Sequence, residues 1–338
     1  MPNVIDYSGA IKADENAEQL TCGYICEDGH ACGEVVEEGE YCKWHDSDQV
    51  LTDPAIRLNL QARAKEKGTM HGYQLGHADL HDVDLVNHGQ QFGYKLVHSD
   101  LYRADLRGAH LFRLDLSNSS LMKANLKGAN MHSVNLTNAN LLGTIFDKAS
   151  LDGVVWGDRV LQEAQAAEES DPVQKKFLYH EAEEVYRNLR IAHDSQGHGL
   201  RAGRFFRREM VMRRMQMPKY SFQRLLSKLI DMFSGYGEQP LRVILFSVTA
   251  ILVFAVLYSL LGVRVDGELI SMSLNEGFIF NSLRFLESLY FSVVTFTTLG
   301  YGDVTPVGVT RLVAATEAFI GAFTLAMFVV MVVKKTTR

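Results

Sequence analysis

Thr297-Thr298-Leu299-Gly300-Tyr301-Gly302-Asp303 lies between two apolar runs, 243–263 and 312–333. Each run is about the ~20 residues that a helix needs to cross a bilayer. Two glycines flank an aromatic in the stretch, and two threonines precede them. Such a segment makes a poor helix and a poor lipid-facing strand. Irregular backbone at membrane depth is tolerated only where protein buries it or where it lines a water-filled path. The stretch therefore reads as a pore lining, and the rest of the chain as what holds or controls it.

The flanks orient it. Lys334, Lys335 and Arg338 close the second run, and Arg201, Arg204, Arg207, Arg208, Arg213, Arg214, Lys219, Arg224 and Lys228 precede the first. Basic residues beside spanning helices mark the cytoplasmic side, so both termini are expected inside, with 264–311 outside and dipping back. Asn281 or Ser282 is placed to cap a short helix ending near Phe296. Leu283, Leu286, Leu289, Tyr290, Val293 and Val294 make that helix apolar enough to insert. Its C-terminal end turns a negative partial charge toward the pore, which favours a cation.

At these residues the chain resembles potassium channels, whose selectivity filter reads T-V-G-Y-G and is lined by backbone carbonyls. Two helices and one re-entrant loop are similar to the two-transmembrane members. The resemblance implies a homotetramer, because one loop cannot surround an ion. It also implies that the carbonyls of Thr298, Leu299, Gly300 and Tyr301, with the Thr298 hydroxyl, replace the water shell of K+. Gly300 and Gly302 supply backbone angles that other residues resist. Thr297 and Asp303 flank the filter, and Tyr301 is expected to pack outward against Tyr290 and Phe291. Leu299 stands where the family usually has Val, and Val294 where some relatives carry a carboxylate paired with the residue matching Asp303. Gly321 occupies the position of a hinge glycine, with close helix packing as the other reading. Phe328 and Val332 are candidate gate residues. Glu317, an ionisable group inside the second run, needs a partner on the pore helix or at Thr316. No regularly spaced basic helix precedes the pore to sense voltage.

From Leu75 to Leu151 an apolar residue recurs every five positions, often preceded by Asp or Asn, with a small residue two before it, as in Ala104-Asp105-Leu106 and Ala124-Asn125-Leu126. A period of five fits neither helix nor flat strand and requires a solenoid. The pattern resembles the pentapeptide-repeat family, A-(D/N)-L-x-x, which implies a right-handed, four-sided β-helix of about four coils with the leucines stacked inside. The register slips by one residue between Leu85 and Leu96, so a corner bulge is expected at 86–91. Outward Arg103, Arg107, Arg113, Lys123 and Lys127 break any acidic face, which argues against the DNA mimicry of some relatives. His77, His81, His88, His98, His110 and His132 read as scattered solvated residues, or as a pH-responsive or metal-binding surface.

All four cysteines, Cys22, Cys26, Cys32 and Cys42, fall in the first 42 residues and are followed by His45. Five such ligands in a segment with little apolar content suit a structural zinc site, which supplies folding free energy. Disulfides or unrelated thiols are the other reading; a cytosolic setting favours Zn2+. One ligand is surplus, and Cys22 is the first suspect. The polar, acidic segment 1–17 shows no signal peptide.

The domain reading is a Cys/His zinc-binding segment over 1–50, a capping segment over 51–72, the β-helix over 73–157, a helical hairpin linker over 158–217, an interfacial helix over 218–236, and the pore domain over 237–338. The zinc segment and 53–67 are placed to cap the first coil. The helical pair resembles a tetratricopeptide-like hairpin. Phe222, Leu225, Leu226, Leu229, Ile230 and Phe233 give the interfacial helix an apolar side, and the basic cluster around it favours anionic lipid headgroups over RNA. The mild net charge of −6 gives no support to nucleic-acid binding. No nucleophile, acid–base pair or phosphate loop suggests an enzyme. The sequence thus points to a multi-pass, potassium-selective channel of the plasma (inner) membrane, regulated by its N-terminal half. The alternative is a membrane-tethered scaffold whose β-helix binds a protein partner.

Overall fold

The computed structural model describes residues 20–26, 29, 31–36, 39–49, 51, 53, 55–265, 267–272 and 277–337. The chain divides into two compact units, Met1–Leu161 and Gln162–Arg338.

The first unit is a solenoid. Parallel bridges join residues twenty apart, such as Asp100 to Ser120, Asp105 to Asn125 and Asp115 to Asn135. A five-residue repeat therefore turns four times per coil. The recurring apolar residues, Leu101, Leu106, Leu111, Leu116 and Leu121 among them, are buried. The small side chains two positions earlier, such as Ala104 and Ala124, fill the remaining interior. The Asp or Asn between them makes the corner: Asp100 Oδ1 accepts from the Tyr102 N–H at 3.0 Å, and Asp115 Oδ1 from Ser117 at 3.0 Å. Three residues after that Asp or Asn the backbone has positive φ, as at Arg103 (54°), Asn118 (57°) and Asn138 (58°), and the same turn recurs at Arg113 (59°) and Lys123 (59°). Coil-to-coil hydrogen bonds, such as Arg103 N–H to the Met122 carbonyl at 3.0 Å, offset the strain.

The first coil departs from this period. Gln74 pairs with Asp100 and Asp84 with His110, a spacing of 26 residues. The excess is one side plus one residue, more than the single-residue slip implied by the leucine register. It runs through the exposed loop at 88–92. Helix α1 (Ile56–Lys67) buries Leu60 and Ala64, and its Arg57 donates to the His81 carbonyl at 2.8 Å. Beside it, Gln74 N–H donates to the Trp44 carbonyl at 2.7 Å, and Trp44 stacks on Tyr73 at 5.1 Å. The cysteine segment and α1 together cover the open end of the solenoid. Short strands β1 (Thr69–His71) and β2 (Lys95–Val97) pair in parallel there.

The second unit is helical. After α2 (Leu161–Glu168), α3 (Pro172–Ser195) starts with Pro at its first turn and Asp171 capping the Val173 and Gln174 amides. It folds back on α4 (Gly199–Met215), held by Glu209 to Arg190 at 2.8 Å and to Arg187 at 3.3 Å. Helix α5 (Phe222–Ser234) is capped by Ser221 and ends at Gly235 in the left-handed region. Its Phe222, Leu225, Leu226, Leu229 and Ile230 are exposed, and Asp231 on its other side is buried. Asp231 binds Arg207 at 2.9 Å and Arg214 at 3.1 Å. Burial opposes ionisation of that carboxyl, but the Arg207 and Arg214 guanidiniums prevail and hold its pKa below the ordinary 3.8. Arg208 pairs with Glu163 at 2.8 Å. Much of the basic cluster is therefore engaged internally, and among the described residues Arg204, Lys219 and Lys228 have no acidic partner.

Helices α6 (Pro240–Leu261) and α8 (Thr310–Thr336) are both long and apolar enough to cross a membrane. Between them lies α7 (Phe278–Phe296). It begins earlier than the sequence suggests: Gly277 is the N-cap, and Ser282 instead donates back to the Phe278 carbonyl at 2.9 Å. Neither Asn281 nor Ser282 caps it. Antiparallel strands β3 (Val263–Val265), β4 (Glu268–Ile270) and β5 (Val304–Pro306) form a small sheet in the order β4-β3-β5. Tyr258, Val263, Phe291, Val304 and Ala314 make one core joining this sheet to all three helices.

Candidate functional site

The loop from Thr297 to Asp303 leaves the end of α7 and enters β5. Its backbone alternates. Thr298 (58°), Gly300 (58°) and Gly302 (82°) have positive φ, and Leu299 and Tyr301 between them do not. An alternation of positive and negative φ lets successive peptide groups face one way, N–H groups to one side and carbonyls to the other. Here the arrangement suits a row of carbonyls. Glycine adopts positive φ without strain, but a β-branched threonine there is a genuine outlier, costing about 1–3 kcal/mol, and such strain persists where function requires it. The helix end holds it: Thr298 N–H donates to the Thr295 carbonyl and Leu299 N–H to the Val294 carbonyl, both at 3.0 Å.

The residues expected to support the loop have these surroundings within one protomer. Tyr301 is 69% exposed and makes no ring contact with Tyr290 or Phe291 within the protomer. Phe291 instead packs edge-on against Tyr258 at 4.7 Å, and the Tyr290 hydroxyl donates to Asp303 Oδ2 at 2.7 Å. Asp303 thus finds a partner although position 294 carries no carboxylate. Thr297 Oγ1 donates to the Val293 carbonyl at 2.6 Å.

On α8, the residues Thr310, Ala314, Glu317, Gly321 and Thr324 form a buried stripe at helical spacing. At Gly321 an added Cβ would lie 1.9 Å from the Phe296 carbonyl oxygen, so close approach to α7 itself demands glycine. Phe328 continues this stripe and is half-buried, whereas Val332 is exposed. Glu317 is fully buried. The Tyr258 hydroxyl donates to Oε2 at 2.5 Å, and Oε1 lies 2.5 Å from Ser292 Oγ. The partner on α7 follows from the cost of an ionisable group in an apolar span. Tyr258 was also legible in principle, as one of few hydroxyl-bearing residues in the first span, but nothing in a sequence gives the helix crossing that brings it close.

In the other unit, Cys22, Cys32, Cys42 and His45 converge, with their ligand atoms all within 4.8 Å of one another. Tetrahedral zinc with Zn–S near 2.3 Å sets its sulfurs about 3.8 Å apart, and Cys32 and Cys42 Sγ lie 3.8 Å apart. His45 turns Nδ1 toward Cys42 Sγ at 3.2 Å, while Nε2 bonds the His71 carbonyl at 2.8 Å. That outer hydrogen bond fixes the tautomer, as second-shell partners of metal-bound histidines do. Burial lowers the imidazole pKa, and burial with neighbouring thiols pushes Cys42 up to about 12, a crowding that a cation would relieve. The group fits a three-cysteine, one-histidine metal centre. Cys26, not Cys22, is the cysteine outside it.

Comparison with known proteins agrees at the level of segments. Residues 246–338 match the family model described as Ion channel. Residues 99–138 and 124–155 match that of Pentapeptide repeats, in 8 copies. The chain therefore joins a two-transmembrane channel segment to pentapeptide repeats, the combination its motifs suggest. Protein LctB of Bacillus caldotenax is 39% identical over 82 residues, 24% of this chain and 60% of that protein. Protein LctB of Geobacillus stearothermophilus is 37% identical over 91 residues, 27% of this chain and 66% of that protein. The chain spans less than two thirds of each relative. Among solved structures, the pentapeptide repeat protein HetL of Nostoc is 30% identical, covering 26% of this chain and 38% of that one, with a TM-score of 0.24.

Proposed function

We propose that this chain is the subunit of a homotetrameric, K+-selective channel of the plasma (inner) membrane, with both termini cytoplasmic. The observation that carries the reading is the alternating backbone of Thr298, Leu299, Gly300, Tyr301 and Gly302, strained at a threonine and held on the end of a helix. In this reading α7 is a re-entrant pore helix, and four copies of the loop surround the ion with carbonyls in place of water. Gly321 is the residue about which α8 would bend, and Val332 and Phe328 lie toward its inner end. The solenoid is a right-handed four-sided β-helix. Cys22, Cys32, Cys42 and His45 hold a structural Zn2+ that fastens the cap to the first coil. Regulation enters through this N-terminal unit, and α5 lies along the inner leaflet, where Lys219 and Lys228 meet anionic headgroups.

The test is flux. Full-length protein in liposomes is expected to pass K+ in preference to Na+, and Gly300→Ala is expected to abolish that flux. The substituent meets nothing within 4 Å in the protomer, so the loss comes from forcing a Cβ onto φ 58°. Equal K+ and Na+ flux, or full K+ flux in the variant, defeats the proposal.

A further inference from the structure

Counting hydrogens at Glu317 leads further. Three short contacts meet there: Tyr258 Oη to Oε2 at 2.5 Å, Ser292 Oγ to Oε1 at 2.5 Å, and Ser292 Oγ to the Ile251 carbonyl at 2.9 Å. Each contact needs one hydrogen. A carbonyl supplies none, and each hydroxyl supplies one. Two hydroxyls therefore fall one hydrogen short. The remaining group able to supply it is the carboxyl itself. With Glu317 protonated, Oε1–H donates to Ser292, Ser292 O–H donates to the Ile251 carbonyl, and Tyr258 O–H donates to Oε2. Every contact is then satisfied.

The surroundings agree. Glu317 is 0% exposed, and among the described residues no Lys, Arg or His pairs with it. An unpaired charge buried in a spanning helix is among the costliest arrangements available to a protein. A neutral acid that donates one hydrogen bond and accepts another avoids that cost.

We propose that Glu317 is held protonated and acts as a positioning residue for the filter. Its carboxyl clamps three helices at one point: α8 carries it, α7 contributes Ser292, and α6 contributes Tyr258 and the Ile251 carbonyl. One turn further along α8, Gly321 seats against the Phe296 carbonyl. The pore helix is thereby fixed at two heights, Ser292 and Phe296, directly below the strained Thr298. The clamp cannot slide without breaking a buried hydrogen bond.

The role of the clamp in conduction rests on the channel reading, but its protonation does not. Infrared difference spectra of the full-length protein in bilayers, recorded near neutral pH, are expected to show a protonated-carboxyl C=O band that Glu317→Gln removes. Glutamine presents an N–H donor and a carbonyl acceptor in the same places, with one N–H left over, so E317Q is expected to keep a tetramer melting temperature and flux much closer to wild type than E317A does. E317A strands Tyr258 and Ser292 and is expected to lower the flux about tenfold or more, with a lower melting temperature. A carboxylate band in place of the protonated one overturns the proposal. So does an E317A protein that melts like wild type. Should the wild type carry no K+-selective flux, the band and the melting shift still decide the clamp, and only the channel reading falls.

Discussion

Gly321→Ala separates two roles for one glycine. As a hinge, the residue matters because α8 bends there; as a packing site, it matters because no side chain fits. The structure gives the second role a magnitude. An alanine Cβ would lie 1.9 Å from the Phe296 carbonyl oxygen and 2.8 Å from its carbon, where real Cβ atoms keep at least 3.0 Å. One of the two helices must therefore retreat by about 1.1 Å, the difference between 1.9 and 3.0 Å. Overpacking of this kind costs about 1–3 kcal/mol per site. If the four sites of a tetramer act independently, the total is about 4–12 kcal/mol. The retreat also reaches Glu317, one turn away. A contact of 2.5 Å to Ser292 stretched by that amount exceeds the length at which a side-chain hydrogen bond counts. The assay has two arms: thermal stability of the detergent-solubilised tetramer, and the K+-to-Na+ flux ratio in liposomes. Both are expected to fall in the alanine variant. A tetramer that melts like wild type and keeps its selectivity, with only its open probability altered, refutes the packing argument and leaves the hinge.

Two further outcomes concern the segments that precede the apolar helices. Metal analysis of the purified full-length protein is expected to find about one zinc per chain. Cys42→Ser and His45→Ala should lose the metal and lower the melting temperature of the N-terminal unit, whereas Cys26→Ser should do neither. Asp231 predicts an acid-labile contact between α4 and α5. Its carboxyl has a folded pKa below the ordinary 3.8, so the stability it contributes is fully present above about pH 5. That stability is lost as the pH falls through the lowered value. Asp231→Asn should remove this acid-dependent part of the melting profile below about pH 4 and lower stability at neutral pH, as followed by circular dichroism.

What the sequence revealed, it revealed through period and exclusion. The five-residue spacing of leucines leaves only a solenoid, and its interior follows directly. The apolar runs and their basic flanks give two spanning helices, and Gly300 and Gly302 give the loop between them. What it withheld is pairing across distance. The 26-residue first coil is hidden because a leucine register records position modulo five and cannot count an added side. Cys26 is as good a ligand on paper as Cys22, and a sequence does not give the pairing of Thr21 with Val35 and Ile25 with Ala31 within which Cys22, Cys32, Cys42 and His45 converge. Val294 leaves Asp303 without the carboxylate partner some relatives carry, but Tyr290 lies one helical turn earlier and its longer side chain reaches the carboxylate from there.

Both units place L-residues at positive φ, and the difference in how they hold them bears on function. In the solenoid the strain at Arg103, Arg113 or Lys123 is matched by a hydrogen bond to the next coil, so each position is secured by its own neighbour. Thr298 has no such ladder within the protomer. Its amide hangs on the Thr295 carbonyl, so the conformation of this loop depends on where α7 ends. The position of α7 is set in turn by Gly321 against Phe296, by Glu317 against Ser292, and by the core beneath the sheet that receives Val304. A loop held in this way responds to α8 as a whole. On the channel reading, a force that shifts α8 by an ångström also moves the Thr298 loop, so a signal arriving at the Lys334 end of α8 has a mechanical route to it.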